Sequence, residues 1–323
     1  RQYDHEVRGA TVLKPLQGRL GHATHGDATV LQPRPDSYRG LAIATAANPH
    51  LCALDPYEGA KATVDELVRN LVSVGARPHA LTNCMNFGNP EKPVRLWEFR
   101  EAVRGVGEAC AALRIAVPSG NVSFYNESPD GAILPTPVLL GCGIVDDLRR
   151  CVSADFKEAG DALFLVGTTQ PSLGGSALYR LKGRRSRRIP RADLDALRAG
   201  MALLNEAMAE GRVAACHDIS DGGLAATLAE MCIGGQLGAE IRLPENGPNA
   251  VAQLFSESPG RWVVEVRGQE MQRFSQLAGS RAVPLGRVWG DRLIVERGHR
   301  RSIDLAVGEL EAAWGRPLWE AIG

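Results

Sequence analysis

Residues 55–93, DPYEGAKATVDELVRNLVSVGARPHALTNCMNFGNPEKP, decide how this chain is organised. Ala62, Val64, Leu67, Val68 and Leu71 recur at helical spacing, so 58–74 reads as a helix with one apolar face. Gly75 is placed to cap it and Arg77-Pro78 to stop it. Residues 79–83 (HALTN) return as a strand and open into a polar loop with Asn83, Asn86 and Asn89 around Phe87-Gly88. Strand ends that run into polar, Gly-containing loops are where sites sit on α/β scaffolds. The asparagines read equally as Asx turns.

Upstream, 27–32 (DATVLQ) and 40–46 (GLAIATA) are short apolar runs bounded by Gly, Pro and Asp, which suits strands. Downstream, 95–113 predicts a second amphipathic helix with Leu96, Phe99, Val103, Val106, Cys110 and Leu113 on one side. Residues 115–118 (IAVP) lead into a Gly-Asn turn, and 136–145 form a further strand. A charged change of composition near 147–160 divides the chain into units 1–150 and 151–323. In the second unit the pattern predicts strands at 161–167 and 213–216, helices at 192–210 and 221–233, and strands at 239–243 and 261–267. Strand-like stretches over 281–296 precede a final helix at 305–322. The whole is an α+β or α/β arrangement.

Composition narrows the function. The 323 residues carry 37 Lys+Arg against 37 Asp+Glu, without the basic excess of a nucleic-acid binder. Aromatics at 5% also disfavour base-stacking platforms. No stretch approaches the roughly 20 apolar residues that span a bilayer. RQYDHEVRG at the start has neither an initiator Met nor an apolar signal core, so the chain is expected to begin within something longer. The seven cysteines form no CxxC pair and read as small buried thiols in a reducing cytoplasm. One basic run, RLKGRRSRRIPR at 180–191, has no interleaved aromatic and reads as a solvated loop.

Two further stretches carry candidate chemistry. In PSGNVSFYNES (118–128), Gly120 lets the backbone approach a phosphate closely. Asn121 offers a neutral carbonyl oxygen that suits Mg²⁺ as one ligand among waters and phosphates. Ser123, two residues on, shares its side if the chain is extended. An ordinary polar turn is the plainer alternative. In ACHDISDGGLAATLAEM (215–231), His217, Asp218 and Asp221 precede a helix opening with Gly222 and Gly223. Carboxylates there point to a metal-bridged phosphate, while Ser220 or Asp221 as a simple helix cap accounts for the stretch equally well.

Together these motifs, with PTPVLLGCG and FSESPGRWVVEV (255–266), resemble the second half of the large subunit of the phosphoribosylformylglycinamidine synthase family. They cover most of residues 1–300 in family order. The resemblance implies an aminoimidazole ribonucleotide synthetase (PurM)-like unit, with an N-terminal dimerising β-sheet domain over 1–150 and a C-terminal α/β sandwich over 151–323. It implies the ATP-dependent conversion of formylglycinamide ribonucleotide and glutamine-derived ammonia to the amidine, in the cytoplasm, with ATP and Mg²⁺.

By motif, the resemblance makes Asn83 (a position where relatives can carry Asp) and Gly120 contacts to ATP. It makes Asn121 a Mg²⁺ ligand, Ser123 a contact to the ribonucleotide, and Asp218 a metal ligand of an auxiliary nucleotide site. The family's catalytic His and metal-binding Glu belong to the first unit, so no catalytic residue is expected here. His50, His79 and His217 read as structural. The implied partners are the first half of the same enzyme, a glutaminase subunit and a small bridging subunit, with no nucleic acid and no membrane. The isolated segment is expected to self-associate and to lack activity. A non-catalytic scaffold half that holds a nucleotide is the alternative.

Overall fold

The computed structural model describes residues 9–322; the opening RQYDHEVR lies outside the described residues. The first sheet is built from β1 (Thr11–Leu13), β2 (Thr29–Leu31), β3 (Gly40–Ala46), β4 (Arg77–Asn86), β5 (Ala116–Ser123) and β6 (Thr136–Val145). Its order is β1-β2-β3-β6-β4-β5. All neighbours are antiparallel except β4 and β5, which run parallel. Helix α1 (Pro49–Leu54) leads directly into α2 (Pro56–Ser73), and α3 (Pro93–Leu113) joins β4 to β5.

Helix α2 is the axis of the molecule. Asp55 caps it, accepting from the backbone N–H of Tyr57 (3.1 Å) and Glu58 (3.0 Å), with Pro56 in the first turn. Most of its residues are buried, not one stripe only. One face lies on β3 and β6, and another meets the second half of the chain. Leu67 and Leu71 are fully buried, a gain of about 1.5–3 kcal/mol each.

Helix α3 turns inward much of the face its apolar residues mark, with Phe99, Val106, Cys110 and Leu113 buried or packed against the core, but rotated towards its small residues. Ala102, Gly105, Val106, Ala109 and Cys110 are buried, whereas Leu96 and Val103 are exposed. The small residues set this rotation, because they let two helix backbones approach. A Cβ on Gly105 would stand 2.3 Å from the Tyr57 carbonyl oxygen of α2.

The second sheet comprises β7 (Ala162–Val166), β8 (Val213–Asp218), β9 (Ala239–Arg242), β10 (Trp262–Val266), β11 (Ala282–Val288), β12 (Arg292–Arg297) and β13 (Arg300–Ala306). The order is β8-β10-β7-β11-β9-β12-β13, antiparallel apart from β9 with β12. Its helices are α4 (Ala177–Leu181), α5 (Leu194–Ala209), α6 (Gly223–Gly235), α7 (Ala250–Phe255), α8 (Met271–Ala278) and α9 (Val307–Ile322). Strand β13 occupies residues whose last part reads as helix in the sequence. Residues 184–191 of the basic run form a loop, as the sequence reading has it.

One core joins the two sheets. Val64, Leu67 and Leu71 of α2 belong to the same buried cluster as Leu203 and Leu204 of α5 and Trp262 and Val264 of β10. A polar seam runs beside it. Asp65 and Arg69, one turn apart on α2, pair at 2.9 Å with almost no exposure. Asp65 also accepts from Gly260 N–H (2.9 Å), Arg69 Nη1 donates to the Ile219 carbonyl (2.7 Å), and Trp262 Nε1 donates to the Arg69 carbonyl (3.3 Å). Breaking one partner of such a pair strands a buried charge, so the seam fixes how the two halves sit.

Candidate functional site

The residues singled out in the sequence fall in two places. The first is the β5 edge of the first sheet, which no strand of the described residues pairs. PSGNVS does not form a turn; it is the outer half of β5, paired in parallel with β4. An edge strand tolerates Pro118, whose missing N–H would break a ladder in a central strand. In register, Asn83 stands opposite Gly120, Cys84 opposite Asn121 and Asn86 opposite Ser123.

Alternation along the strands divides these residues between two faces. Asn83 follows the parity of Leu81 and Met85, which are buried on the helix side. Its amide extends across Gly120, where a Cβ would lie 2.5 Å from Asn83 Oδ1. Asn121 and Ser123 are on the opposite, open face. Asn121 Nδ2 donates to Cys84 Sγ at 3.5 Å, which turns its carbonyl oxygen outward. That oxygen is free to serve as one ligand of a hard cation, so the residue fits Mg²⁺. The other ligands of a six-coordinate ion must come from phosphate, water or another chain. A ligand lying along the edge of β5 would meet Asn83 from one side and Asn121 from the other.

The second place is a cavity of about 540 Å³ lined by Asp27, Asn70, His217, Asp218, Asp221 and Glu230, among others. His217 and Asp218 are the last residues of β8, not a loop before α6. Neither Ser220 nor Asp221 caps α6: its cap position is Gly222, with no side-chain cap bond. Asp218 is thus free of that role. Its carboxylate lies 3.4 Å from Arg69 Nη2, yet its Oδ2 is buried without a hydrogen bond.

Asp27, His217 and Asp218 place one ligand atom each within 4.8 Å of one another. The chemistry of the donors separates them. Asp27 lies 2.7 Å from His217 Nδ1 and Glu230 lies 3.1 Å from Nε2, so both ring nitrogens are engaged. Burial pushes the His217 pKa down, but Asp27 and Glu230 outweigh it and hold it well above the usual imidazole range. With a carboxylate against each ring nitrogen, His217 offers no open donor, and the oxygen donors for a hard cation are Asp27 and Asp218. Burial raises the Asp218 pKa against the pull of Arg69. Burial, with Asp218 nearby, lifts Glu66 on α2 to about 8. A divalent cation would relieve this crowding of acids, and Asp218 Oδ2, which faces Arg69 Nη2 at 3.4 Å but makes no hydrogen bond, fits one.

Asp27, Asn70 and Glu230 escaped the sequence reading. Asp27 looks like the first residue of an apolar strand, and Glu230 and Asn70 look like polar positions on helices. Only the packing of three separate segments brings them together. No helix of the described residues is long and apolar enough to cross a membrane.

Comparison with known proteins accords with this architecture. The family "AIR synthase related protein, N-terminal domain" matches residues 25–145, and "AIR synthase related protein, C-terminal domain" matches 158–297. The chain is 37% identical over 320 residues to the phosphoribosylformylglycinamidine synthase subunit PurL of Thermoplasma acidophilum, covering 98% of this chain and 42% of that protein. It is 43% identical over 324 residues to PurL of Thermobifida fusca, covering 98% and 40%. The chain thus spans about two-fifths of the length of these curated relatives.

Among solved structures, T. maritima PurL complexed with FGAR superimposes with a TM-score of 0.76 at 18% identity, over 91% of this chain and 49% of that one. The hydrogenase maturation protein HypE in complex with ATP gives 0.63 at 17% identity, over 84% and 87%. At these identities the likeness shows the fold, and HypE shows that fold in a chain about one unit long. Carrying both domains once and in order, and similar along nearly all its length to part of PurL, the chain belongs to the AIR synthase related family.

Proposed function

We propose that this chain is the second half of an ATP-dependent phosphoribosylformylglycinamidine synthase, divided near residue 150 into an ATP-facing sheet domain and a C-terminal domain. Its 43% identity to PurL of T. fusca along 98% of its length supports this reading. So does the grouping of Asn83 on β4 with Gly120, Asn121 and Ser123 on the adjoining edge strand β5, the observation that carries it.

In the reaction, ATP phosphorylates the amide oxygen of formylglycinamide ribonucleotide and ammonia displaces the phosphate. This chain's part is to bind and orient. Asn83 and the bare backbone at Gly120 receive ATP, and Ser123 meets the ribonucleotide. Asn121 would hold Mg²⁺, which when bound supplies positive charge to the transferring phosphoryl group. The acid or base and the remaining contacts belong to the first half, which closes against the open sheet face. Ammonia reaches the site from a glutaminase subunit through a small bridging subunit; a PurLQS assembly has been solved for T. maritima. Seven free cysteines suit the reducing cytoplasm in which this pathway runs.

A second role has its own observation. Asp27 and Asp218 in the 540 Å³ cavity suit an auxiliary metal-bound nucleotide that steadies the fold without reacting.

The test is reconstitution. The isolated chain with ATP, Mg²⁺, ammonia and the ribonucleotide should give no amidine, and addition of the first half should restore turnover. Steady-state turnover by the chain alone would overturn the half-site reading.

A further inference from the structure

Beyond Ser123 the chain leaves β5 through a strained corner. Tyr125 sits at φ +61°, a left-handed conformation that a bulky residue adopts only when its surroundings enforce it. Asn126 enforces it. Its Nδ2 lies 3.0 Å from the Phe87 carbonyl oxygen and 2.8 Å from the Ser123 carbonyl oxygen, so one amide ties the ends of β4 and β5 together. The backbone N–H of Asn126 donates to the same Phe87 carbonyl at 3.2 Å.

These contacts fix which way the amide points. Both carbonyls are acceptors only, so the nitrogen must face them and the oxygen must face away. Ser123 Oγ lies 3.1 Å from Nδ2 and 3.3 Å from Oδ1. The two hydrogens of Nδ2 are aimed at the two shorter carbonyl contacts. The Ser123 hydroxyl therefore directs its own hydrogen at Asn126 Oδ1 and keeps its lone pairs for the open face.

We infer that Asn126 is a positioning residue for the ribonucleotide: it holds the Ser123 hydroxyl in one orientation on the substrate face of β5. The inference rests on the reading that Ser123 contacts the ribonucleotide. Asn126 acts through Ser123, because its Nδ2 is taken up by the two carbonyls and its Oδ1 faces the Ser123 hydroxyl.

A double-mutant cycle in the enzyme carrying both halves tests this, with Ser123→Ala, Asn126→Ala and the pair. Each single change should raise KM for the ribonucleotide by about 2–10-fold, the size of one neutral hydrogen bond, with KM for ATP unchanged. The pair should cost no more than either alone, because Asn126 acts through Ser123. If the two penalties multiply, Asn126 is a structural residue and the inference fails. If Ser123→Ala leaves the ribonucleotide KM unchanged, the reading of the site fails and the inference with it. Should Asn126→Ala not fold, the near-isosteric Asn126→Leu, which lacks the acceptor oxygen as well as the two donors, takes its place in the same cycle with the same criteria.

Discussion

Asn83 and Gly120 face each other in register on adjacent parallel strands, and the Asn83 amide occupies the space that a side chain at 120 would need. A glycine is required there for a side-chain reason as well as a ligand reason. Gly120→Ala should displace the Asn83 amide while leaving stability within about 1 kcal/mol, because the atom it meets is the end of a flexible side chain. A displacement on this scale can cost up to about 100-fold in turnover when it moves a positioning group. Steady-state kinetics of the two-half enzyme, with thermal unfolding alongside, decide it; wild-type turnover in Gly120→Ala would show that Asn83 orientation is irrelevant.

Asn121 and Ser123 share the open face of β5 but should fail differently. Asn121→Leu removes a carbonyl oxygen whose charge stabilisation grows during phosphoryl transfer, so turnover should fall by about 100–1,000-fold. Ser123→Ala removes one neutral hydrogen bond, worth about 0.5–1.5 kcal/mol, and should appear in KM for the ribonucleotide. Near wild-type turnover in Asn121→Leu, or a Ser123→Ala defect confined to ATP, would remove this edge from the active site.

The seam between the halves depends on Asp65 and Arg69. Asp65→Ala leaves the Arg69 guanidinium short of its 2.9 Å partner and Gly260 N–H without an acceptor, at a cost of about 3–5 kcal/mol. The joint replacement Asp65→Leu with Arg69→Met should cost less than that single change. Urea unfolding of the wild type and the two variants is the measurement, and a loss in the joint replacement equal to or greater than that of Asp65→Ala would refute the account.

Glu265 gives the protein a pH dependence that can be assigned. It is fully buried on β10 and accepts from the backbone N–H groups of Lys157 (2.9 Å) and Glu158 (3.0 Å). Burial, opposed by those bonds and reinforced by Asp161, pushes it up to about 8. Because the folded pKa exceeds the unfolded value of about 4.3, the folded state holds a proton that the unfolded state has lost in between. Stability should therefore decline as pH rises from about 4.3 towards 8 and level off above, by up to about 1.4 kcal/mol per pH unit from this group. Glu265→Gln should flatten that decline in urea titrations between pH 5 and 8.5. An unchanged slope would place Glu265 ionised throughout.

The open face of the first sheet should drive association of the isolated chain. Val138, Leu140, Cys142 and Ile144 of β6 lie on it, with Leu140 41% exposed, beside the free edge of β5. An apolar face with an unpaired strand edge is association-prone. Light scattering at micromolar concentration should report a dimer or larger species, and Leu140→Arg should shift it towards monomer. A monomeric wild-type chain would contradict this.

The sequence by itself determined the helix at α2, the strands at β3, β6 and β7, and the family, because those follow from local periodicity and from residues contiguous along the chain. It also marked Asn83, Gly120, Asn121, Ser123 and Asp218, since each lies within a short motif. It could not show that Gly120 and Asn121 sit in a strand. Their Pro-Ser-Gly-Asn composition favours a turn, and only pairing with β4 overrides that preference. Nor could it rotate α3, where helix approach through Gly105 outweighs the pull of Leu96 and Val103 towards the core. Of the acidic cavity it showed only the side carried by His217, Asp218 and Asp221, which stand in one motif. Asp27, Asn70, His217 and Glu230 come from segments up to about 200 residues apart, and the Asp65–Arg69 seam brings them together. Burial then raises the Asp218 pKa, and the carboxylates of Asp27 and Glu230 raise that of His217 against burial, so charge state, like position, is a property of the packed molecule.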